Sequence, residues 1–348
     1  MNDNSAMNTL LPSPASQEIT RSRRIGFLIY PNCEICDVCG PLDVFHFADF
    51  WLPRFGRTDE PGYQLVILAA SPGAVRTHSG IEIVASQSCY DTKDGLDTLI
   101  VSGGIDAEQA CKDNPALVEW VSAIAPRVRR VASICTGAFI LAAAGLLHYR
   151  RAATHWLYSE RLASAYPSTK VDSNLIFARD GNIYSSGGIT AGIDLALALV
   201  EEDHGQEITL AVARTMVVFP RRPGGQSQFS AYKKIEANQP DIRELQRWIL
   251  GHPGEDLGVE ALADRMAMSP RNFARLFRSE TGETPARFTE RARSEAARCQ
   301  LEQTVLPVET IAEECGFGNA ERMRRAFQRL FAVSPHDYRA RFRSTLLN

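Results

Sequence analysis

Between Arg24 and about Gly205, short runs of β-branched and other apolar residues alternate with stretches whose apolar residues recur every three to four positions. The runs "RIGFLIY" (24–30), "YQLVILAA" (63–70), "DTLIVSGG" (97–104), "RVASI" (130–134) and "NIYSS" (182–186) predict strands. The stretches "GPLDVFHFADFW" (40–51), "NPALVEWVSAIA" (114–125), "TGAFILAAAGLL" (136–147) and "TAGIDLALALVEED" (190–203) predict helices. Strands alternating with helices imply a mostly parallel sheet covered on both faces. Ligand chemistry in such a sheet gathers at the carboxyl ends of its strands.

Beyond Asp241 the apolar spacing is helical throughout, and it repeats. "ALADRMAMSPRNFARLFRSETGETPARF" (261–288) aligns with "TIAEECGFGNAERMRRAFQRLFAVSPHDY" (310–338). Leu262-Ala263 falls on Ile311-Ala312 and Met266 on Cys315. After one extra residue Phe277 falls on Phe327, Pro285 on Pro335 and Phe288 on Tyr338. Each copy reads as helix, tight turn, helix, exit turn, with one long helix (about 285–303) joining the copies.

A helix-turn-helix needs a small residue in its first helix, a tight turn, and a second helix with one face packed and the other bare. In the first copy these are Ala263, Ala267-Met268, and a helix N-capped by Ser269 with Pro270 at its first position. Phe273, Leu276 and Phe277 form the packed face; Arg271, Ala274, Arg275 and Arg278 form the bare one. In the second copy Ala312 is the small residue and "GFGN" the turn, with Met323, Ala326, Phe327 and Leu330 inward and Arg322, Arg325 and Arg329 outward. An arginine-rich face is ordinarily a solvated one, yet two matched copies point to helices offered to successive major grooves of double-stranded DNA. "FPRRPGGQSQFS" (219–230) reads as the interdomain linker, where Arg221 and Arg222 are further candidates for phosphate contact.

Charge sharpens this division. Residues 241–348 hold 17 Arg, no Lys and 16 Asp+Glu, a net +1, which leaves −4 for residues 1–240. The halves differ little in sum but strongly in chemistry, because an arginine fork can bond a guanine edge bidentately and lysine cannot. At 348 residues, 45% hydrophobic and 23% charged, the chain has the composition of a two-domain globular protein. No apolar run reaches the roughly 18 residues of a membrane span, so no membrane partner is expected. The first 22 residues lack the basic start and apolar stretch of a signal peptide and read as a loose tail. Eight cysteines without framework spacing fit reduced thiols, and hence a cytoplasmic location.

"VASICTGAFILAAAGLL" (131–147) runs from a strand pattern through Cys135 into a helical one. That is the outline of a nucleophile elbow, in which the helix N-terminus is expected to lower the thiol pKa. Backbone N–H groups around Thr136 and the Gly103-Gly104 loop are expected to cradle an anion or oxyanion. Asp37 and His155 are the candidate acid and base. Against catalysis stands the habit of cysteine to be buried, and a histidine beside Trp156 is readily structural. Cys33, Cys36 and Cys39 in "CEICDVC" are three thiols where a zinc or iron–sulfur site needs four ligands, and Asp43 begins no further motif. No metal is expected there; redox activity is the alternative.

The last hundred or so residues, on "LADRMAMSPRNFARLFRSETGETPARF", "RARSEAARCQLEQT" and "VETIAEECGFGNAERMRRAFQRLFAVSPHDYR", resemble the DNA-binding domain of AraC/XylS-type regulators. The resemblance implies base contacts from Arg271, Ala274 and Arg275 in the first copy, and from Ala320, Glu321, Arg322 and Arg325 in the second. Residues 24–205, on "GFLIYPNCEICDVCGPLDVF", "LIVSGG", "ICTGAFILAAAGLL", "THW" and "GGITAGIDLALALV", resemble the PfpI-like branch of the class I glutamine amidotransferase-like superfamily. Proteases of that superfamily carry a histidine after the elbow cysteine, where this chain has Thr136; isonitrile hydratases are locally closer through Asp37, Cys135 and Thr136. The fusion resembles the GlxA-like group of AraC regulators, and closely the AdpA-type members, with "PRRPGGQ" at the junction.

That resemblance implies a flavodoxin-like, mostly parallel α/β domain with an elbow cysteine, followed by an all-α domain of two helix-turn-helix units. The expected segments are a tail (1–22), the PfpI-like domain (23–205), a helix and linker (206–240) and the DNA-binding domain (241–345). The implied protein is a homodimeric transcription regulator that uses no cofactor and is not an enzyme. Asp37, Gly103, Gly104, Cys135, Thr136 and His155 would line a pocket for a small-molecule effector. The rival is a hydratase or amidase using Cys135 with an accessory DNA-binding domain, and a third reading is a bare dimerisation scaffold.

Overall fold

The structure is a computed structural model that describes residues 22–220, 222, 225–229, 237 and 239–342. Residues 1–21 of the expected tail lie outside these residues, as do 221, 223–224, 230–236 and 238 of the expected linker segment and 343–345 of the expected DNA-binding domain. The chain divides into two compact units between Arg221 and Arg222.

The first unit contains strands β1 (Arg23–Leu28), β2 (Tyr63–Ala69), β3 (Gly73–Arg76), β4 (Glu82–Ala85), β5 (Gln87–Ser88), β6 (Thr98–Val101), β7 (Arg130–Ile134), β8 (Arg151–Ala152), β9 (Lys170–Val171), β10 (Phe177–Asp180) and β11 (Ile183–Ser186). Its helices are α1 (Ile35–Trp51), α2 (Ala107–Asp113), α3 (Pro115–Ile124), α4 (Gly137–Ala143), α5 (Ser159–Ala165) and α6 (Thr190–Thr215). A seven-stranded sheet runs β10-β11-β7-β6-β1-β2-β5 and is parallel except for β10 on β11. Strands β6, β7 and β11 are buried at every position, as strands covered on both faces must be. Helix α1 packs on α6, and α4 on α2 and α3, so two helix groups cover the sheet. The strand order reverses between β1 and β6, which places a crevice at their carboxyl ends.

Three boundaries differ from the sequence reading. Helix α1 begins at Ile35 rather than Gly40, because the Glu34 carboxylate accepts the Cys36 N–H and starts the helix before the Cys39-Gly40 step. Helix α6 runs on to Thr215 past 203, with Gly205 at φ 78° breaking its backbone, so the helix expected in 206–240 continues the preceding one. The β3–β4 hairpin is a separate two-stranded sheet that periodicity alone did not reveal.

At the amino ends of the strands lies a buried ionic cluster. Asp203 of α6 accepts from Arg130 (2.7 Å), Arg129 (2.7 Å) and the Tyr63 hydroxyl (2.9 Å), and Arg130 Nε donates to Thr98 Oγ1 (3.1 Å). The side chains of Arg130 and Asp203 are 3% and 1% exposed, so neither charge can be rescued by water.

The second unit is helical: α7 (Pro240–Gly251), α8 (Val259–Arg265), α9 (Pro270–Thr281), α10 (Pro285–Gln303), α11 (Val308–Glu314), α12 (Ala320–Phe331) and α13 (Pro335–Phe342). The sequence repeat has a physical counterpart in two apolar clusters. Phe277 meets Phe288 edge-on at 5.4 Å in one, and Phe327 meets Tyr338 edge-on at 6.0 Å in the other.

Asp203→Ala leaves Arg130 buried without its closest carboxylate. It is expected to cost about 3–5 kcal/mol, measured as the loss in urea unfolding free energy of the full chain.

Candidate functional site

The elbow forms as its sequence suggests: β7 ends at Ile134, Cys135 takes φ 56°, and α4 leaves from Gly137. Only glycine fits around it. A Cβ on Gly188 would lie 2.3 Å from the Cys135 Cβ, and one on Gly137 would lie 2.5 Å from the Val101 carbonyl. Thr154 Oγ1 donates to the Cys135 carbonyl (2.8 Å), and the Cys135 N–H reaches the Ser186 carbonyl (3.1 Å).

The chemistry of the elbow differs from that expected in two ways. Burial first, and then the Asp37 carboxylate, push the Cys135 thiol well above its ordinary pKa, overriding the N-terminal end of α4. Two of the cradle donors are also already used. Gly103 N–H donates to Asp37 Oδ2 (2.9 Å), and Gly104 N–H donates to Thr136 Oγ1 (2.8 Å), which donates back to the Gly104 carbonyl (2.6 Å). The second oxygen of Asp37 accepts from Ile189 N–H (2.7 Å) and pins that residue at φ 49°. Asp37 is fully buried, and burial pushes its carboxyl up to about 7 against these two backbone donors.

Cys135, Gly104, Thr136 and His155 line one small cavity of about 120 Å³, together with Glu34, His78, Ile105, Tyr158 and Ile189. Asp37 and Gly103 stand behind its wall. His155 Nδ1 accepts from the Leu157 N–H (3.3 Å), and burial lowers its pKa. The Glu34–His78 pair (3.1 Å) at the cavity was missed by the sequence reading; the acidic N-cap just before Ile35 was the available signal. The three neighbouring thiols diverge: Cys33 is buried, while Cys36 and Cys39 are exposed on α1.

In the second unit, Ala267 at φ 50° makes the first turn, and Gly316 and Gly318 at φ 75° and 77° make the second. On α9, Phe273 and Phe277 are buried and Leu276 is partly so, whereas Arg271, Arg275 and Arg278 are exposed and have no ion-pair partner among the described residues. On α12, Met323, Ala326 and Phe327 are buried and Leu330 is partly so. Ala274 and Ala320 are partly covered.

The α12 surface is more self-paired than expected. Glu321 accepts from Arg324 (2.7 Å) and Arg325 (2.8 Å), which hold its carboxyl down to about 2. Arg329 pairs with Glu290 of α10. Arg322 is exposed with no carboxylate partner among the described residues. The Ser269 side chain makes no capping bond, a correction to the sequence reading, because Pro270 fixes the entry without it. Asn319 caps α12 instead, accepting the Arg322 N–H at 2.9 Å.

Residues 23–202 match the DJ-1/PfpI family, and residues 262–341 match a helix-turn-helix domain. An HTH-type transcriptional regulator of Mycobacterium tuberculosis is 36% identical over 262 residues, covering 72% of this chain and 96% of that protein. The HTH-type transcriptional regulator CdhR of Pseudomonas aeruginosa is 32% identical over 328 residues, 92% of both chains. The chain belongs to the AraC/XylS-type transcriptional regulators that carry a DJ-1/PfpI-like domain. An isonitrile hydratase of Pseudomonas putida is 32% identical over 200 residues, covering 58% of this chain and 80% of that enzyme.

This regulator is thus a DNA-binding protein with a GlxA-like accessory domain. Among its described residues no helix is long and apolar enough to cross a membrane.

Asn319→Ala in the regulator is expected to cost about 1 kcal/mol, and Ser269→Ala only a few tenths or less. Thermal unfolding of the two full-length variants checks the difference; equal losses would refute the assignment of the caps.

Proposed function

We propose that the regulator is a cytoplasmic homodimer that reads operator DNA with α9 and α12, and that its PfpI-like domain pairs the subunits and senses a small molecule without catalysing a reaction. The observation that carries the reading of DNA is the row of exposed, unpaired guanidinium groups at Arg271, Arg275 and Arg278 on the helix that follows a tight turn. Arg322 and Arg325, beside Ala320 and Glu321, hold the equivalent place on α12. Glu321 competes with DNA for Arg325, which makes that arginine the weaker reader of the two.

Pairing of subunits suits this chemistry, since two linked domains of modest affinity bind two half-sites far more tightly than either binds one. A ligand at the Cys135 cavity would act by favouring one spacing of the two DNA-binding domains over another.

Several features support a non-catalytic elbow. The thiol is held protonated, the loop donors are engaged by Asp37 and Thr136, and His155 spends Nδ1 on a backbone N–H. The competing reading is hydratase-type chemistry. It draws on the hydratase relative and on the contact of the Asp37 carboxyl with the Gly103 loop beside Cys135.

A promoter fragment selected from genomic DNA by the purified regulator provides the test. At fixed salt, Arg275→Ala is expected to lose about 1–3 kcal/mol of specific binding, with sequence preference relaxed at one position. Unchanged affinity would remove Arg275 from the reading set. Cys135→Ala is expected to keep fragment affinity and dimer mass while changing any ligand-dependent shift in melting temperature. Isonitrile hydration by the natural sequence that Cys135→Ser abolishes would establish the competing enzyme reading.

A further inference from the structure

A cleft of about 520 Å³ in the second unit lies between the two helix-turn-helix units. Its walls include Arg293 and Thr289 of α10 and Arg322, Arg325 and Arg329 of the second unit's recognition helix. Arg325 and Arg329 are matched by Glu321 and Glu290. Arg293 and Arg322 make no ion pair among the described residues, although Asp256 and Glu290 also line the cleft.

Arg293 is held rigidly. Its Nε donates to the Pro253 carbonyl (3.0 Å) and its Nη2 to the Glu255 carbonyl (2.9 Å). Its guanidinium also lies against Gly316, where a Cβ would come within 2.8 Å of Nε. Burial and then the charge of Arg322 hold its pKa below the ordinary arginine value, against the opposing charge of Asp256 on the same cleft wall. Thr289, 6% exposed, lines the same cleft, and its buried Oγ1 has no hydrogen-bond partner. Two arginines without an ion-pair partner beside an unbonded hydroxyl suit an oxyanion.

We propose that Arg293, Arg322 and Thr289 form a phosphate-binding notch between the two helix-turn-helix units, distinct from the base-reading faces. Arginine forks suit the tetrahedral oxygens of phosphate, and the hydroxyl adds a donor that neither fork supplies. The phosphate comes either from the DNA backbone between the two grooves or from a free nucleotide that displaces DNA. The inference rests on the reading of both helices as DNA-facing.

Natural protein, Arg293→Gln and Thr289→Val would be titrated with the selected promoter fragment over a series of salt concentrations. Separately, each would be titrated calorimetrically with inorganic pyrophosphate, without DNA and at fixed ionic strength. A backbone phosphate in the notch predicts a log–log salt slope shallower by about one in Arg293→Gln. A free phosphate predicts saturable pyrophosphate binding that displaces the fragment and is weakened about ten-fold by Arg293→Gln. Because Arg293 also bonds two carbonyls, its variant is compared only if its melting temperature is retained. Thr289→Val, which keeps the shape, decides otherwise: it is expected to weaken by several-fold whichever phosphate interaction the natural protein makes. Identical slopes, affinities and pyrophosphate responses in folded variants would overturn the notch while leaving DNA reading intact. No preference of the natural protein for any fragment would instead sink the reading on which the notch rests.

Discussion

The pairing of helices α9 and α12 depends on a contact that only glycine permits. A Cβ on Gly316 would lie 2.4 Å from the Pro253 carbonyl, and one on Gly254 would lie 2.6 Å from the Glu314 carbonyl. The loop ahead of α8 is therefore pressed against the turn between α11 and α12, with Arg293 stitched across the join. Backbone packed this closely has one arrangement rather than a range of them. Helices α9 and α12 are held as a set, and in the proposed reading a duplex presents both grooves at the spacing this join dictates.

The same economy of side chains governs the α/β unit. Gly103, Gly137 and Gly188 leave just enough room for Cys135 to turn the chain at φ 56°. Once so tight, the elbow satisfies its own backbone: Asp37 bridges the Gly103 and Ile189 N–H groups, and Thr136 locks Gly104 from both sides. The Gly103 and Gly104 N–H groups beside the thiol are thereby engaged within the elbow itself. The ionic cluster around Asp203 anchors the opposite ends of the same strands, so the sheet is polar at both edges and apolar between.

Much of this was legible in the sequence because it follows from periodicity. The five strand runs and the repeat in 261–338 each bury the residues their spacing assigns, and the aromatic matches Phe277/Phe327 and Phe288/Tyr338 are the centres of the two clusters. What was not legible depends on partners distant along the chain. The Cys135 thiol was expected to be acidic from its helix, but burial and Asp37 outweigh the hydrogen bonds that Thr136 gives it. Ser269 holds the N-cap position without a side-chain bond, whereas Asn319 lay inside what read only as a turn. Arg329 was assigned outward by spacing alone, which cannot see Glu290 on another helix. Glu34 and His78 lie 44 positions apart, and no local pattern joins them at the cavity.

One compositional feature of the second unit reaches beyond recognition. From 241 to 348 every basic side chain apart from histidine is arginine, and its proton is not surrendered at any pH at which a fold survives. Acylation of amines finds no target there either. The positive charge that this region would offer a polyanion is therefore insensitive to lysine chemistry, and is tuned by ionic strength and by neighbouring carboxylates such as Glu321 and Glu290.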